Sequence, residues 1–133
     1  MEPSIDPTSV HDQVGGQDFF ERLVDRFYEG VADDPVLLPL YPDAPDLTPA
    51  RHRLTLFLVQ YWGGPATYSE VRGHPRLRMR HAPFQIRTRE RDRWLVHMRA
   101  ALGSVGADLD PGLRAQLDAY FTMAADAMRN TPD

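Results

Sequence analysis

The sequence predicts an all-α fold with one domain built on four long helices. Three observations indicate this class. Apolar residues recur at intervals of three and four in four separate segments. Helix-starting and helix-stopping residues, such as Thr48-Pro49, Gly63-Gly64-Pro65 and Asp110-Pro111, stand at the ends of these segments. No segment shows convincing alternation of apolar and polar residues, which is the pattern of a half-buried strand.

The first two long helices have marked boundaries. Asp18 can cap the first helix, with Glu21 three residues later as in a capping box, and Asp33-Asp34-Pro35 ends it. Thr48-Pro49 starts the second helix, because proline suits the first helical turn, and Gly63-Gly64-Pro65 stops it. Their apolar faces are Phe20, Leu23, Val24, Phe27, Tyr28 and Val31 in the first, and Leu54, Phe57, Leu58, Tyr61 and Trp62 in the second.

The second half of the chain repeats this organisation. Residues 66–74 read as irregular, and His74-Pro75 can open a short helix that carries His81 and stops at Pro83-Phe84. Thr88 caps the third long helix, and Asp110-Pro111 starts the fourth. Their apolar faces are Trp94, Leu95, Met98, Ala101, Leu102 and Val105 in the third, and Leu113, Leu117, Tyr120, Phe121, Ala124 and Met128 in the fourth.

Composition bounds the function. Residues 1–17 offer little apolar surface and are predicted to form a flexible tail, so the domain spans 18–133. A net charge of −4 implies no general attraction to nucleic acid or anionic membranes. The chain has no cysteine, which excludes disulfides and thiolate metal sites. No apolar run is long enough to span a bilayer and no leader opens the chain, so we expect a soluble cytoplasmic protein.

A series of motifs resembles one known family over most of the chain, from about Gly15 to about Asn130. The motifs are Arg26-Phe27-Tyr28, Leu40-Tyr41-Pro42, the run Phe57 to Pro65 (FLVQYWGGP), the run Gly73 to Phe84 (GHPRLRMRHAPF) and Arg91-Asp92-Arg93-Trp94-Leu95. Together they resemble the truncated haemoglobins, and in particular their second group, the O type. The resemblance implies a shortened globin, a two-on-two helical sandwich that encloses haem b. Without a C-x-x-C-H motif, the haem is expected to be held without covalent attachment.

The resemblance implies that His81 is the proximal ligand of the haem iron. A helix that ends abruptly beside an apolar pocket can hold one imidazole at a fixed angle, as a single axial ligand requires. The alternative for a lone histidine is a surface residue or a satisfied core residue. The other four histidines do not occupy the motif position, and we expect His74 to cap the short helix.

On the distal side the resemblance implies a set of hydrogen-bond donors. Tyr28, Tyr41 and Trp94 match the distal positions of the family, and each carries a donor at the end of an apolar body. A dioxygen ligand carries partial negative charge, so converging donors in a dry pocket stabilise it. Ala50 and Leu54 complete this side without donating. The alternative for all three donors is plain core packing.

The remaining site predictions concern the haem plane and its propionates. Arg53 is expected to pair with a propionate, with Arg80 and Tyr68 as further candidates; the alternative for an arginine is a solvated face. The predicted haem-packing residues are Phe57, Leu58, Phe84, Met79 and Met98.

Functionally, the resemblance implies a protein that binds dioxygen, nitric oxide, carbon monoxide or similar small ligands. It favours nitric oxide oxidation, peroxide reduction or ligand sensing over bulk oxygen delivery. Catalysis depends on an external reductase, and a homodimer is compatible with the family. The run from Arg72 to Arg99 holds nine arginines against Glu90 and Asp92, which leaves a second hypothesis: a haem-free helical interaction or nucleic-acid-binding module. A solvated face in a lysine-free protein explains the run more simply.

Overall fold

Seven helices build the protein in the computed structural model, which describes residues 9–133. No strand occurs in these residues, so the predicted all-α class is confirmed. The helices are, in chain order, α1 (Val10–Val14), α2 (Gln17–Ala32), α3 (Thr48–Tyr61), α4 (Thr67–Arg72), α5 (Leu77–His81), α6 (Thr88–Val105) and α7 (Pro111–Met128), with a 3-10 turn at Leu38–Leu40 between α2 and α3. None of them has the length and apolar character needed to cross a membrane.

The four long helices pack as two pairs. α2 lies against α3, α6 lies against α7, and the pairs meet where α2 packs on α6. Gly30 allows this last contact, because a Cβ at that position would collide with the His97 ring. The centre of the core is fully apolar and contains Phe20, Phe27, Leu58, Met98 and Phe121.

The predicted boundaries of the long helices hold to within a residue or two. α3 begins at Thr48 with Pro49 in its first turn, and α7 begins at Pro111 after Asp110, whose Oδ2 accepts a hydrogen bond from the Gly112 backbone N–H at 3.1 Å. Asp18 is not a cap, since α2 already begins at Gln17 after Gly16. The positive φ of Gly16, 77°, sets the change of direction there.

The predicted tail over residues 1–17 is wrong for its last part, because residues 10–14 form α1. The Ser9 side chain caps this helix and Gly15 ends it in the left-handed region. The His11 backbone N–H donates to the Trp62 carbonyl at 2.9 Å, which docks α1 on the end of α3. Residues 1–8 lie outside the described part of the chain.

Residues 66–74, predicted to be irregular, contain α4. The Gln60 side chain holds this helix by accepting from the Ser69 N–H at 2.9 Å and donating to the Ser69 hydroxyl at 2.7 Å. His74 does not cap α5 as predicted, because the residue preceding that helix is Arg76, with φ 43°. Short helices of this kind depend on tertiary contacts.

Candidate haem site

A cavity of about 490 Å³ opens between the two helix pairs and the short helices. This volume lies within the usual range of small-molecule and cofactor sites. Twelve of the fourteen predicted site residues line it: Tyr28, Tyr41, Ala50, Arg53, Leu54, Phe57, Leu58, Tyr68, Arg80, His81, Phe84 and Trp94. Residues predicted from widely separated motifs therefore share one space.

His81 is the last residue of α5 and lines the cavity. Its ring Nδ1 lies 2.7 Å from the backbone carbonyl oxygen of Leu77, one turn earlier. A carbonyl only accepts, so Nδ1 carries a proton, and in the neutral ring Nε2 is then the nitrogen with the free lone pair. The ring also packs edge-on against Phe84, with centroids 6.4 Å apart. This arrangement fixes the tautomer that a metal-binding imidazole needs.

Tyr28, on α2, and Tyr41, in the connection between α2 and α3, lie next to each other in the cavity wall. Their rings meet edge-to-face, with centroids 5.5 Å apart, which brings the two hydroxyls close enough to interact. Burial raises the pKa of Tyr28 well above its usual value, and the proximity and hydrogen bond of Tyr41 raise it further. Burial raises the pKa of Tyr41 to about 12, although the same hydrogen bond lowers it. Both phenols therefore stay protonated at neutral pH and can donate hydrogen bonds in the cavity.

Trp94 lines the cavity from α6 and is held between two phenylalanines. Its ring lies 5.2 Å from Phe27 and 6.1 Å from Phe121, at tilts near 60° to each. Within residues 9–133 the indole N–H donates to no protein acceptor. The indole N–H can only donate, and the ring that carries it packs against two phenylalanines, so Trp94 is suited to bind a ligand at a fixed place.

Asp34 connects the segment between α2 and α3, which contains Tyr41, to α6. This buried carboxylate accepts from Arg93 Nε at 3.0 Å, lies 2.6 Å from His97 Nε2, and also accepts from the Val36 and Leu37 backbone N–H groups. Although burial opposes ionisation, these hydrogen bonds hold the pKa of Asp34 well below its usual value. The carboxylate thus fixes the loop leading to Tyr41 relative to the helix that carries Trp94.

The propionate predictions receive unequal support. Arg53 lines the cavity and is half-buried. Arg80 donates to the carbonyls of Pro75 at 2.6 Å, Arg72 at 2.7 Å and His74 at 3.2 Å, so most of its guanidinium is committed to the backbone. Tyr68 is buried at the cavity wall, with the guanidinium of Arg72 6.0 Å from its ring centre. Arg72, which the sequence did not single out, is therefore a further cation at this rim.

Met79 and Met98, predicted as haem-packing residues, do not line the cavity, so that role stays a prediction. Met79 is 60% exposed. Leu77 and His81 are four residues apart on the cavity face of α5, and a residue midway between them points the other way. Met98 is fully buried, but it lies in the core one helical turn beyond Trp94, the last α6 residue to reach the cavity.

Sequence reasoning missed one wall of the cavity. α7 contributes this wall, and its periodicity had predicted inward-facing side chains without indicating what they face. Glu90 on α6 is a second omission, a buried carboxylate that accepts from the Arg87 N–H at 2.8 Å and closes the start of the helix. The cavity residues from α7 are Tyr120, Phe121, Ala124, Ala125 and Met128.

The arginine-rich stretch is largely paired within the chain. Arg91 binds Asp126 at 2.7 Å, Arg93 binds Asp34, and Arg99 binds Asp118 at 3.1 Å. Arg87 donates to the Pro132 carbonyl at 3.2 Å. Guanidinium groups engaged in this way do not form the free basic face that a nucleic-acid footprint requires.

The cavity fits haem on three grounds. Its lining is mostly apolar and aromatic, the one lining imidazole has Nδ1 engaged with a carbonyl so that Nε2 is left for a metal, and arginines lie near Tyr68. These are the contacts that a non-covalent iron porphyrin with two carboxylates needs.

Comparisons with known proteins agree with this geometry. The pattern of the family described as Bacterial-like globin matches residues 9–130. The Group 2 truncated hemoglobin YjbI of Bacillus subtilis is 45% identical over 93 residues, which cover 70% of this chain and 69% of that protein. The crystal structure of a thermostable hemoglobin from Thermobifida fusca is 58% identical, with a TM-score of 0.90 over 95% of this chain and 100% of that one. The group II truncated hemoglobin of Bacillus anthracis has a TM-score of 0.89 at 37% identity, over 97% and 96% of the two chains. The chain therefore belongs to the bacterial-like globin family, as a group II truncated haemoglobin with non-covalent haem b as its cofactor.

Proposed function

We propose that this protein holds dioxygen tightly on a haem ligated by His81, by means of hydrogen bonds from Tyr41 and Trp94. The observation that carries the proposal is the convergence of these donors and an Nε2-exposing imidazole on one apolar cavity. The haem iron supplies reversible coordination of a diatomic ligand. The chain supplies the donors that decide how long the ligand stays.

The two distal donors act differently. In this proposal the Tyr28 hydroxyl donates to Tyr41, whose ring centroid lies 5.5 Å from that of Tyr28, and this leaves the Tyr41 hydroxyl proton for the ligand. Trp94 acts alone, with its ring fixed by Phe27 and Phe121. Both donors are pre-positioned in an apolar space, where a hydrogen bond to a partly charged acceptor is stronger than in water. Ala50 and Leu54 add no donor and leave room beside the ligand.

Tight retention favours chemistry or sensing over bulk delivery, because slow release limits the transfer of oxygen. We propose nitric oxide oxidation to nitrate as the leading reaction, with peroxide reduction and ligand sensing as related uses of the same site. Combining nitric oxide, dioxygen and one electron gives nitrate, so turnover needs an external one-electron reductase as partner. A homodimer stays a prediction, which sedimentation of the haem-loaded protein checks.

The experiment compares dioxygen dissociation in the parent and in the triple variant Tyr28→Phe/Tyr41→Phe/Trp94→Phe. Stopped-flow displacement by carbon monoxide reports the rate. We expect a slow parent and a variant faster by two decades or more, since the two hydrogen bonds to the ligand, from Tyr41 and Trp94, are lost at ~1.5–3 kcal/mol each. Tyr61→Phe is the matched control, because Tyr61 is 48% exposed and does not line the cavity. A fast parent, or a triple variant as slow as the parent, contradicts the proposal.

A further inference from the structure

The segment after α7 folds back onto the connection between α5 and α6. The backbone N–H groups of Asn130 and Thr131 both donate to the Ile86 carbonyl, at 3.0 and 3.3 Å. Further along, the Asp133 carboxylate accepts from the Thr88 N–H at 2.9 Å and from its hydroxyl at 2.7 Å. Residues 130–133 are thus docked on the connection between α5 and α6 and on the start of α6.

The Asn130 side chain makes the most specific of these contacts. Its Oδ1 accepts from the Ile86 N–H at 2.9 Å. Its Nδ2 donates both hydrogens, to the His81 carbonyl at 3.1 Å and to the Phe84 carbonyl at 2.9 Å. One amide therefore satisfies one donor and two acceptors of residues 81–86, and no other side-chain type supplies this combination at the same length.

α5 needs such support because it is too short to be stable alone. It has five residues, and its final carbonyls have no partner within the helix. At the N-terminal end of α5, the Arg80 guanidinium donates to the carbonyls of Arg72, His74 and Pro75. At the C-terminal end, the His81 carbonyl accepts only from the Phe84 N–H at 3.0 Å and from Asn130 among the described residues.

We infer that Asn130 is a positioning residue that fixes the angle and height of the His81 imidazole from the far end of the chain. The inference rests on the proposed role of His81. The hydrogen bond reaches the backbone of His81 itself, so a change at Asn130 is transmitted to the ring without any intervening side chain. The hydrogen bond from the ring Nδ1 to the Leu77 carbonyl then sets the rotation of the imidazole. Asn130 does not itself line the cavity, and its amide reaches the lining residues His81, Phe84 and Ile86 through their backbone groups.

The predicted consequence is a change in the iron–histidine bond. Without the amide, the 81–86 turn samples more positions, and the iron–nitrogen stretch of the ferrous unliganded protein broadens or shifts. Haem transfer to an acceptor apoprotein also speeds up severalfold. A purely structural role at the chain end would lower the unfolding temperature and leave the stretching band where it is.

The experiment measures this band by resonance Raman spectroscopy in the haem-loaded full chain. Asn130→Ala removes the three bonds to residues 81–86 together with the bond that Oδ1 accepts from the Thr131 hydroxyl. Asn130→Asp keeps the acceptor for Ile86 while removing both donors. Thr88→Val is the matched control: it removes the hydroxyl contacts to Asp133 and to Arg129 at the chain end, and it removes none of the Asn130 bonds to residues 81–86. We expect a shifted or broadened band and faster haem transfer in both Asn130 variants, and parent behaviour in Thr88→Val.

Two results overturn the inference, and they are distinguishable. If the parent shows an iron–nitrogen band and both Asn130 variants keep its position and width, Asn130 does not position His81. If the parent shows no such band, His81 is not the ligand and the proposed function fails with the inference. A shift of the same size in Thr88→Val also contradicts it, because general loosening of the chain end then accounts for the effect.

Discussion

Replacing Trp94 with phenylalanine isolates one hydrogen bond to the ligand. The substitution removes the indole N–H and keeps an aromatic ring between Phe27 and Phe121, whose centroids lie 5.2 and 6.1 Å from that of Trp94. The N–H has no protein acceptor within residues 9–133, so its loss leaves no buried group of the described chain unpaired. The change in ligand affinity is therefore not mixed with a broken internal contact.

The magnitude follows from the chemistry of the acceptor. A hydrogen bond to a charged group contributes ~1.5–3 kcal/mol in a protein, and the cavity lining here is mostly apolar. Because the indole is held by two rings, little rotamer freedom is lost when it binds the ligand. This range corresponds to about one to two decades in rate. We expect dioxygen dissociation from Trp94→Phe to be faster than from the parent by that factor. We also expect this substitution to raise the dissociation rate more than any other single substitution in the site.

Stopped-flow displacement of dioxygen by carbon monoxide measures the dissociation rate directly. Tyr61→Phe is again the control, since it removes a polar group from an aromatic residue away from the cavity. An off-rate within about twofold of the parent, less than 0.5 kcal/mol, would show that the indole only fills space. The account of the distal side would then rest on the tyrosines alone.

Three further predictions concern other residues of the site. Tyr41→Phe should speed dioxygen dissociation by about tenfold and Tyr28→Phe by less, because in the proposal Tyr28 acts on the ligand through its neighbour Tyr41; the reverse order in the same stopped-flow assay means that Tyr28 is the direct donor. Arg53→Ala should raise the rate of haem transfer to an acceptor apoprotein severalfold, as expected for a partly exposed propionate contact of ~1 kcal/mol or less; an unchanged rate makes Arg53 a solvated side chain. Asp34→Asn should lower the free energy of unfolding at pH 7 by about 1–3 kcal/mol. Since the folded pKa of Asp34 is depressed, this difference should be fully present above its unfolded value of about 4 and shrink as the pH falls toward the folded pKa; urea titrations across that range check it, and a pH-independent difference contradicts the assignment.

The sequence predicted the long helices well because their signals are local. Proline and capping residues mark the starts of α3 and α7, and the apolar period identifies their buried faces. The short helices α1 and α4 could not be predicted in this way. α1 depends on a bond from His11 to Trp62, and α4 on the Gln60 side chain, both of which are contacts between residues distant in sequence.

The residues of the site also fall into those that the sequence could predict and those that it could not. Motif resemblance placed His81, Tyr28, Tyr41 and Trp94, and the structure brings all four to one cavity. Periodicity predicted that Tyr120 and its neighbours on α7 face inward, but it carries no information on whether they face other helices or a cavity. A five-residue helix is too short for its apolar period to show which side faces the cavity, so the sequence could not predict that Met79 is exposed. Asn130 had no sequence signal, because its partners lie 44 to 49 residues away.

The central claim, that His81 is the proximal ligand, is tested most directly by His81→Gly. The assay compares haem affinity and the iron–nitrogen stretch of the reduced, unliganded protein with and without added imidazole. We predict that the variant loses haem, or retains it only when imidazole occupies the space left by the ring, with an altered stretching band. Normal haem affinity together with an unchanged iron–nitrogen stretch would contradict the account, because the iron would then be bound by another residue.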